Sequence, residues 1–424
     1  MKKKKDSKIE IIAIGSELLT PYSQDTNSLY LTERLNDLGM EVSFKTIVGD
    51  EWDDLILCTK QALTRADIII AMGGLGPTED DRTREAVAAA LERKLIFKKT
   101  LLQKIERRFR RRGMSMPPVN KKQAYIIEGA EILENENGTA PGLWLGTGKE
   151  IIILLPGPPH ELKPMFDSSV WPRLQKFRKK FTARRALKIT GLTESKIETL
   201  ISDLYPQEPH TRLTTLAYPG QIEIHLTVLS GEGQDKAEEI MQQMENNLLG
   251  RLKENVFSTT GEELEEVVGR LLRLHKKNLA TAESCTGGYL GHRLTNISGS
   301  SDYFLQSMVV YSNEAKTYHL GVSADLIEQH GAVSPQVATA MAVGIKEKSR
   351  SSLGLSITGI AGPTGGTPEK PVGLVYTALA WDNGTDVVKN LFLGNREMIK
   401  FQSAQKALDM VRRYLLKNPK SKEN

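Results

Sequence analysis

The stretch LATAESCTGGYLG, Leu279 to Gly291, decides how the second half of this chain is read. It starts as a short apolar run that suits a buried strand, breaks at Glu283-Ser284-Cys285-Thr286, and turns helical behind Gly287 and Gly288. A strand that feeds a helix in this way predicts small hydroxyl side chains at a helix N-terminus. Unpaired backbone N–H groups and the positive end of the dipole there favour an oxyanion or a phosphate. The glycines let a ligand approach the backbone closely. Ser284 is then a candidate nucleophile, with the N–H groups from Cys285 through Thr286 to Gly287 as candidate oxyanion donors. Serine and threonine also cap helices for purely structural reasons, and Cys285 is a rival nucleophile because a thiol needs less activation.

A second motif follows. Val309-Val310-Tyr311 ends a strand pattern, a helix opens near Asn313, and Lys316 falls one turn in. A lysine at a helix start opposes the dipole. It is either solvated and close to neutral in energy, or it is a general base in a partly dry pocket whose pKa has been lowered. Lowering it from ~10.4 to roughly 7.5 would cost about 4 kcal/mol, so the second reading demands a rigid surround. A third motif, Ser356 to Gly366 (SITGIAGPTGG), ends a strand in a glycine-rich loop that begins Thr358-Gly359 and suits a nucleotide phosphate. Asn395 caps the last helix, with Arg396 in its first turn, where a guanidinium suits a phosphate or carboxylate.

The three motifs AESCTGG, YSNEAK and SITGIAGPTGG, in this order, resemble the C-terminal domain of the CinA (competence/damage-inducible protein A) family. The resemblance implies a nicotinamide mononucleotide amidohydrolase of Ser/Lys type that needs no cofactor. It implies Ser284 as nucleophile, Lys316 as its base and Tyr311 as a hydrogen-bonding relay between them. Thr358 and Arg396 would help to hold the substrate.

At 424 residues the chain exceeds one ordinary core, so two or three domains are expected. Apolar content of 39% with 26% charged residues is that of a globular chain rather than a disordered one. No apolar run approaches a membrane span, and no signal-peptide core follows Met1 and its lysines. Two cysteines, Cys58 and Cys285, make neither a disulfide framework nor a metal cluster, so a cytoplasmic, membrane-free protein is expected. Basic residues cluster at Arg107–Arg112 and from Lys176 to Arg185, but the net charge of +5 is modest, and solvated helix faces explain these runs better than a nucleic-acid surface.

In the first half, strand patterns at Lys8–Ile14, Glu41–Val48 and Asp67–Met72 alternate with helical ones, predicting a doubly wound parallel sheet with helices on both faces. In such sheets ligands bind beyond the carboxyl ends of the strands. The third strand runs into Gly73-Gly74-Leu75-Gly76-Pro77-Thr78-Glu79-Asp80-Asp81-Arg82-Thr83. Its glycines expose N–H groups for phosphate, and two carboxylates beside a phosphate make sense with a cation between them. The plainer reading has one aspartate capping the helix that begins near Thr83. IGSELL, DTN and GGLGPTEDDRT resemble the molybdopterin-binding (MoCF) superfold in its CinA version. That implies a metal-dependent ADP-ribose pyrophosphatase site with Glu17, Asn27, Asp80 and Asp81, using a divalent ion alone or with K+. Thr20-Pro21-Tyr22-Ser23-Gln24 stands where the family has a glycine-containing link. His160, beside three prolines, reads as a structural donor.

The expected organisation is a MoCF-like domain over 1–170, a KH-like α+β module over 171–250 without a GxxG loop, a linker over 251–261, and an α/β/α amidohydrolase domain over 262–417. A homodimer is expected. Two other readings remain open at this point: a molybdopterin-type carrier that hydrolyses nothing, and a competence-related nucleic-acid accessory protein.

Overall fold

Runs such as IEIIAI and IIIAM have apolar side chains on both faces of an extended chain, so they are stable only in the middle of a sandwich. The computed structural model shows this arrangement; it describes residues 7–178, 180–205 and 211–418. The lysines at 2–5 and the residues after 418 lie outside the described residues. Two compact units are present, one built mainly from residues 1–183 and the other from residues 184–228 and 238–424.

In the first unit, Ile9–Ile14 pairs in parallel with Val42–Val48 on one side and with Ile68–Met72 on the other, and Ile68–Met72 pairs in parallel with Ile151–Leu155. Alternate residues supply two separate cores. Ile12, Ile14, Ile69 and Ala71 face the helices Trp52–Arg65 and Thr83–Ala90, whereas Ile11, Ala13, Ile68 and Ile70 face Thr26–Asp37 and Pro159–Met165. The doubly wound expectation therefore holds for four strands. Gly142–Gly146 and Glu131–Leu133 then extend the sheet antiparallel, so the sheet is mixed rather than wholly parallel. Between Tyr125 and Leu133 the chain turns at Gly129 (φ 82), which separates two short strands that join different sheets.

A four-stranded sheet, most of it in the second unit, runs in the order Thr211–Tyr218, Gln221–Ser230, Phe181–Ile189, Val256–Ser258. The last of these corrects the sequence reading of 251–261 as a linker. Three residues carry too short a pattern to show a period, yet Val256 and Ser258 pair antiparallel with Ile189 and Lys188. Arg412 and Arg413 of the last helix bond Glu254 and Asn255, so this stretch is fixed at both ends.

The rest of the unit is an α/β/α sandwich. Leu279–Glu283 lies between Phe304–Val309 and Leu353–Gly359, parallel to both, and a hairpin of Leu374–Trp381 and Gly384–Leu391 completes the sheet. Helices Leu264–Leu274, Tyr289–Thr295 and Arg396–Lys417 bury Leu272, Leu290, Leu294 and Leu408 on one face. The helix Pro335–Ser349 buries Val337, Met341 and Ile345 on the other. Three parallel strands thus end side by side, and all three motifs of the sequence sit at those ends.

Candidate active sites

Ser284 follows directly on the central strand, and its N–H donates to Ile357 O of the neighbouring strand at 3.0 Å. The other neighbour ends at Val309, and Ser312 then caps the helix Asn313–Leu320 by accepting from Ala315 N–H. Lys316 is on the buried face of that helix and is only 1% exposed, which removes the solvated reading. Its Nζ lies 3.2 Å from Ser284 Oγ, 3.0 Å from Val310 O and 3.1 Å from Tyr311 O. Burial pushes the Lys316 pKa down, against a smaller upward pull from Cys285 and the Glu314 carboxylate. Ser312 O stands 3.4 Å from Nζ as well, so three main-chain carbonyls and the serine hydroxyl surround the amine.

Four expectations change. First, the helix behind the glycines does not offer its N-terminus to a ligand. Its cap is Gly288, and the buried carboxylate of Glu283 already accepts the N–H groups of Gly288, Leu290 and Gly291 at 3.0, 3.1 and 2.8 Å. Secondly, the Gly287 N–H is committed to Ser284 O at 3.1 Å within the turn, so of the three candidate oxyanion donors the N–H groups of Cys285 and Thr286 remain. Thirdly, the Tyr311 side chain does not stand between Ser284 and Lys316. Serine and lysine touch directly, and the Tyr311 side chain is 62% exposed with its hydroxyl accepting from Arg396 Nη2 at 3.3 Å. Fourthly, Cys285 is packed in the hydrophobic core and burial pushes its thiol up to about 12, so it is held as an inert thiol.

Arg396 also donates to Gly362 O at 2.7 Å, which ties the glycine-rich loop to the start of the last helix. Thr358 is buried, and its hydroxyl donates to Ala332 O at 2.8 Å. Gly359 is required by packing, because a Cβ there would stand 2.7 Å from Leu374 O. A residue the sequence reading missed is Lys400, whose Nζ lies 3.9 Å from where a Gly287 Cβ would be. The signal was its i,i+4 spacing from Arg396, which puts both cations on one face of the helix.

The first unit holds a cavity of about 670 Å³, of the size that takes a nucleotide. Glu17, Asn27, Gly73, Gly74, Gly76, Asp80 and Asp81 all line it, so the structure brings together residues read from three separate motifs. Thr78 stands behind them, and Asp81 Oδ2 accepts from its N–H at 2.9 Å, so Asp81 braces the loop instead of capping the helix. That helix starts after Arg82 with no side-chain cap. Ser23 and Gln24 of the unusual link reach the lining, whereas Tyr22 is 94% exposed. Asp25, Asp50 and Glu161 add to the acidic wall. Asp25 accepts from Ser28 N–H, Asp50 from the N–H and hydroxyl of Ser16, and Glu161 from the Asn135 amide, with His160 Nε2 standing 3.8 Å from its other oxygen. No lysine or arginine is among the described lining residues. Asn27 Nδ2 donates to Gly157 O, while its buried Oδ1 has no partner among the described residues. His160 itself is largely exposed. No three described His, Cys, Asp or Glu side chains converge as a metal cage. No described helix is long and apolar enough to cross a membrane.

Comparisons with known proteins follow these boundaries. Residues 10–176 match the model "Probable molybdopterin binding domain", residues 184–258 the "Damage-inducible protein CinA KH domain", and residues 261–415 the "CinA C-terminal domain". A CinA-like protein of Koribacter versatilis is 48% identical over 96% of this chain and 99% of its own length. One from Acidobacterium capsulatum is 46% identical over the same shares. The solved competence/damage inducible protein CihA from Agrobacterium tumefaciens is 37% identical and covers 38% of this chain and 99% of its own, with a TM-score of 0.35. The chain belongs to the CinA family, with a MoCF-like domain, a KH-like module and a CinA C-terminal domain in that order.

Proposed function

We propose that the C-terminal domain hydrolyses the carboxamide of nicotinamide mononucleotide, giving nicotinate mononucleotide and ammonia. The observation that carries this reading is the direct contact of Ser284 Oγ with the buried Lys316 amine at 3.2 Å. Neutral Lys316 takes the hydroxyl proton as Oγ attacks the carboxamide carbon. The N–H groups of Cys285 and Thr286 receive the developing oxyanion, each worth about 3 kcal/mol. Collapse breaks the C–N bond, and Lys316 returns the proton to the departing ammonia. Water then attacks the Ser284 ester with Lys316 again as base, restoring the serine and releasing the carboxylate. Arg396 and Lys400 supply positive charge for the phosphate of the substrate, and Tyr311 orients Arg396.

For the N-terminal cavity we propose metal-assisted cleavage of the diphosphate of ADP-ribose. Carboxylate and amide oxygens fit a hard divalent cation, and the orphaned Asn27 Oδ1 is a further oxygen donor. Asp80, and Asp81 through its second oxygen, would hold the ion together with diphosphate oxygens. The ion would supply neutralisation of charge on the diphosphate. Without it, the acidic wall repels the substrate; Gly74 and Gly76 offer backbone N–H groups but no formal charge, and the Gly73 N–H is already committed to Leu155 O at 3.0 Å. The test is the full-length protein offered nicotinamide mononucleotide and ADP-ribose separately, with and without divalent metal. Ammonia from the first, independent of metal, and AMP from the second, dependent on it, support both readings. Tight pterin binding without AMP release favours a carrier in the first unit.

A further inference from the structure

We propose that Glu283 is the positioning residue of the Ser284/Lys316 pair, an inference that rests on the Ser/Lys reading above. A residue between a strand end and a nucleophile is usually unremarked, but this one is 0% exposed and bonded at both ends. Its carboxylate Oε2 accepts from the N–H groups of Gly288 and Leu290, and Oε1 accepts from the N–H of Gly291 and from the Ser307 hydroxyl at 3.2 Å. Ser307 in turn accepts from the Thr281 hydroxyl at 2.9 Å. The main-chain oxygen of Glu283 accepts from Val310 N–H at 2.8 Å, and Val310 O is one of the acceptors of Lys316 Nζ.

Glu283 therefore holds both partners of the proton transfer. The carboxylate fixes the helix start that closes the serine turn, and the carbonyl fixes the segment that carries the lysine. Such a staple is needed because the turn passes through Gly287 (φ 61) and Gly288 (φ 94), which are conformationally permissive. Three backbone donors on one side-chain acceptor restore the rigidity that those glycines remove. The staple also fills the helix N-terminus, so the oxyanion falls to the turn N–H groups beside the serine and the phosphate to the cations on the last helix.

The test uses full-length protein and a fluorophosphonate probe, whose labelling rate at Ser284 reads nucleophile alignment without requiring any particular substrate. Glu283→Gln keeps the shape but turns an NH2 group toward backbone donors. We expect its labelling rate, and kcat for ammonia release, to fall about 10²-fold, with KM changed less than about threefold. Glu283→Asp retains the charge with a shorter reach and falls between the two. Ser307→Ala leaves the carboxylate in place, removes one donor and slows labelling about fivefold; it decides the matter if Glu283→Gln does not fold. A folded Glu283→Gln or Ser307→Ala that labels at the wild-type rate, even with a lowered melting temperature, makes Glu283 a helix cap only and overturns the proposal. If wild type labels at Ser284 but releases no ammonia, the substrate assignment fails while the labelling series still judges Glu283. Failure of wild type to label overturns both.

Discussion

The two candidate sites balance charge in opposite ways. At Ser284 the charges are settled inside the protein: the carboxylate of Glu283 is spent on three backbone donors, and burial disfavours a charged Lys316. The groups are close, nearly covered and aimed at one another. In the N-terminal cavity the carboxylates surround a wide space, and no lysine or arginine is among the described lining residues. A site of the first kind is complete before its substrate arrives. A site of the second kind gathers negative charge that a cation and a substrate must offset together. The lesson is that a charged residue in a motif says little until its partner is known, because Glu283 and Asp80 have similar chemistry and opposite uses.

This contrast can be broken by experiment. The largest effect is expected from Lys316→Ala, which should reduce ammonia release from nicotinamide mononucleotide by about 10⁴-fold and leave ADP-ribose cleavage unchanged, measured on the same preparation. Asp80→Asn should do the reverse, lowering AMP formation about 10²-fold, and a chelator should abolish AMP formation without touching ammonia release. Arg396→Ala and Lys400→Ala should each raise KM for nicotinamide mononucleotide about tenfold with a smaller change in kcat, as steady-state kinetics would show. The smallest effect concerns pH. As the proposed base Lys316 would act unprotonated, so kcat/KM should rise with pH through a limb that lies below the ordinary lysine range, because burial lowers that pKa. Glu314 pulls the same pKa upward, so Glu314→Gln should move the limb further toward acid. A limb moved toward alkali would contradict the electrostatic account.

Much of this was legible in the sequence where the signal was local. Asn395 accepts from Met398 N–H, as its place before a helical pattern implied. The strand–turn motifs of both units sit at carboxyl strand ends, as open parallel sheets require. Partnerships across space were not legible. Nothing in the order of residues shows that Glu283 folds back onto Gly291, that Tyr311 turns to Arg396, or that Asp50 and Glu161 join the wall that Asp80 begins. The strand Val256–Ser258 escaped because its pairing partner is distant in the chain and three residues have no detectable alternation. Each miss concerns a group whose environment is set by tertiary packing rather than by its neighbours in sequence.

The central claim is that Ser284 performs the attack that frees ammonia. The most direct measurement is ammonia release from nicotinamide mononucleotide by folded Ser284→Ala beside wild type. The account predicts release from wild type and a loss of about 10⁴-fold in the variant. Release from the variant at the wild-type rate would contradict it.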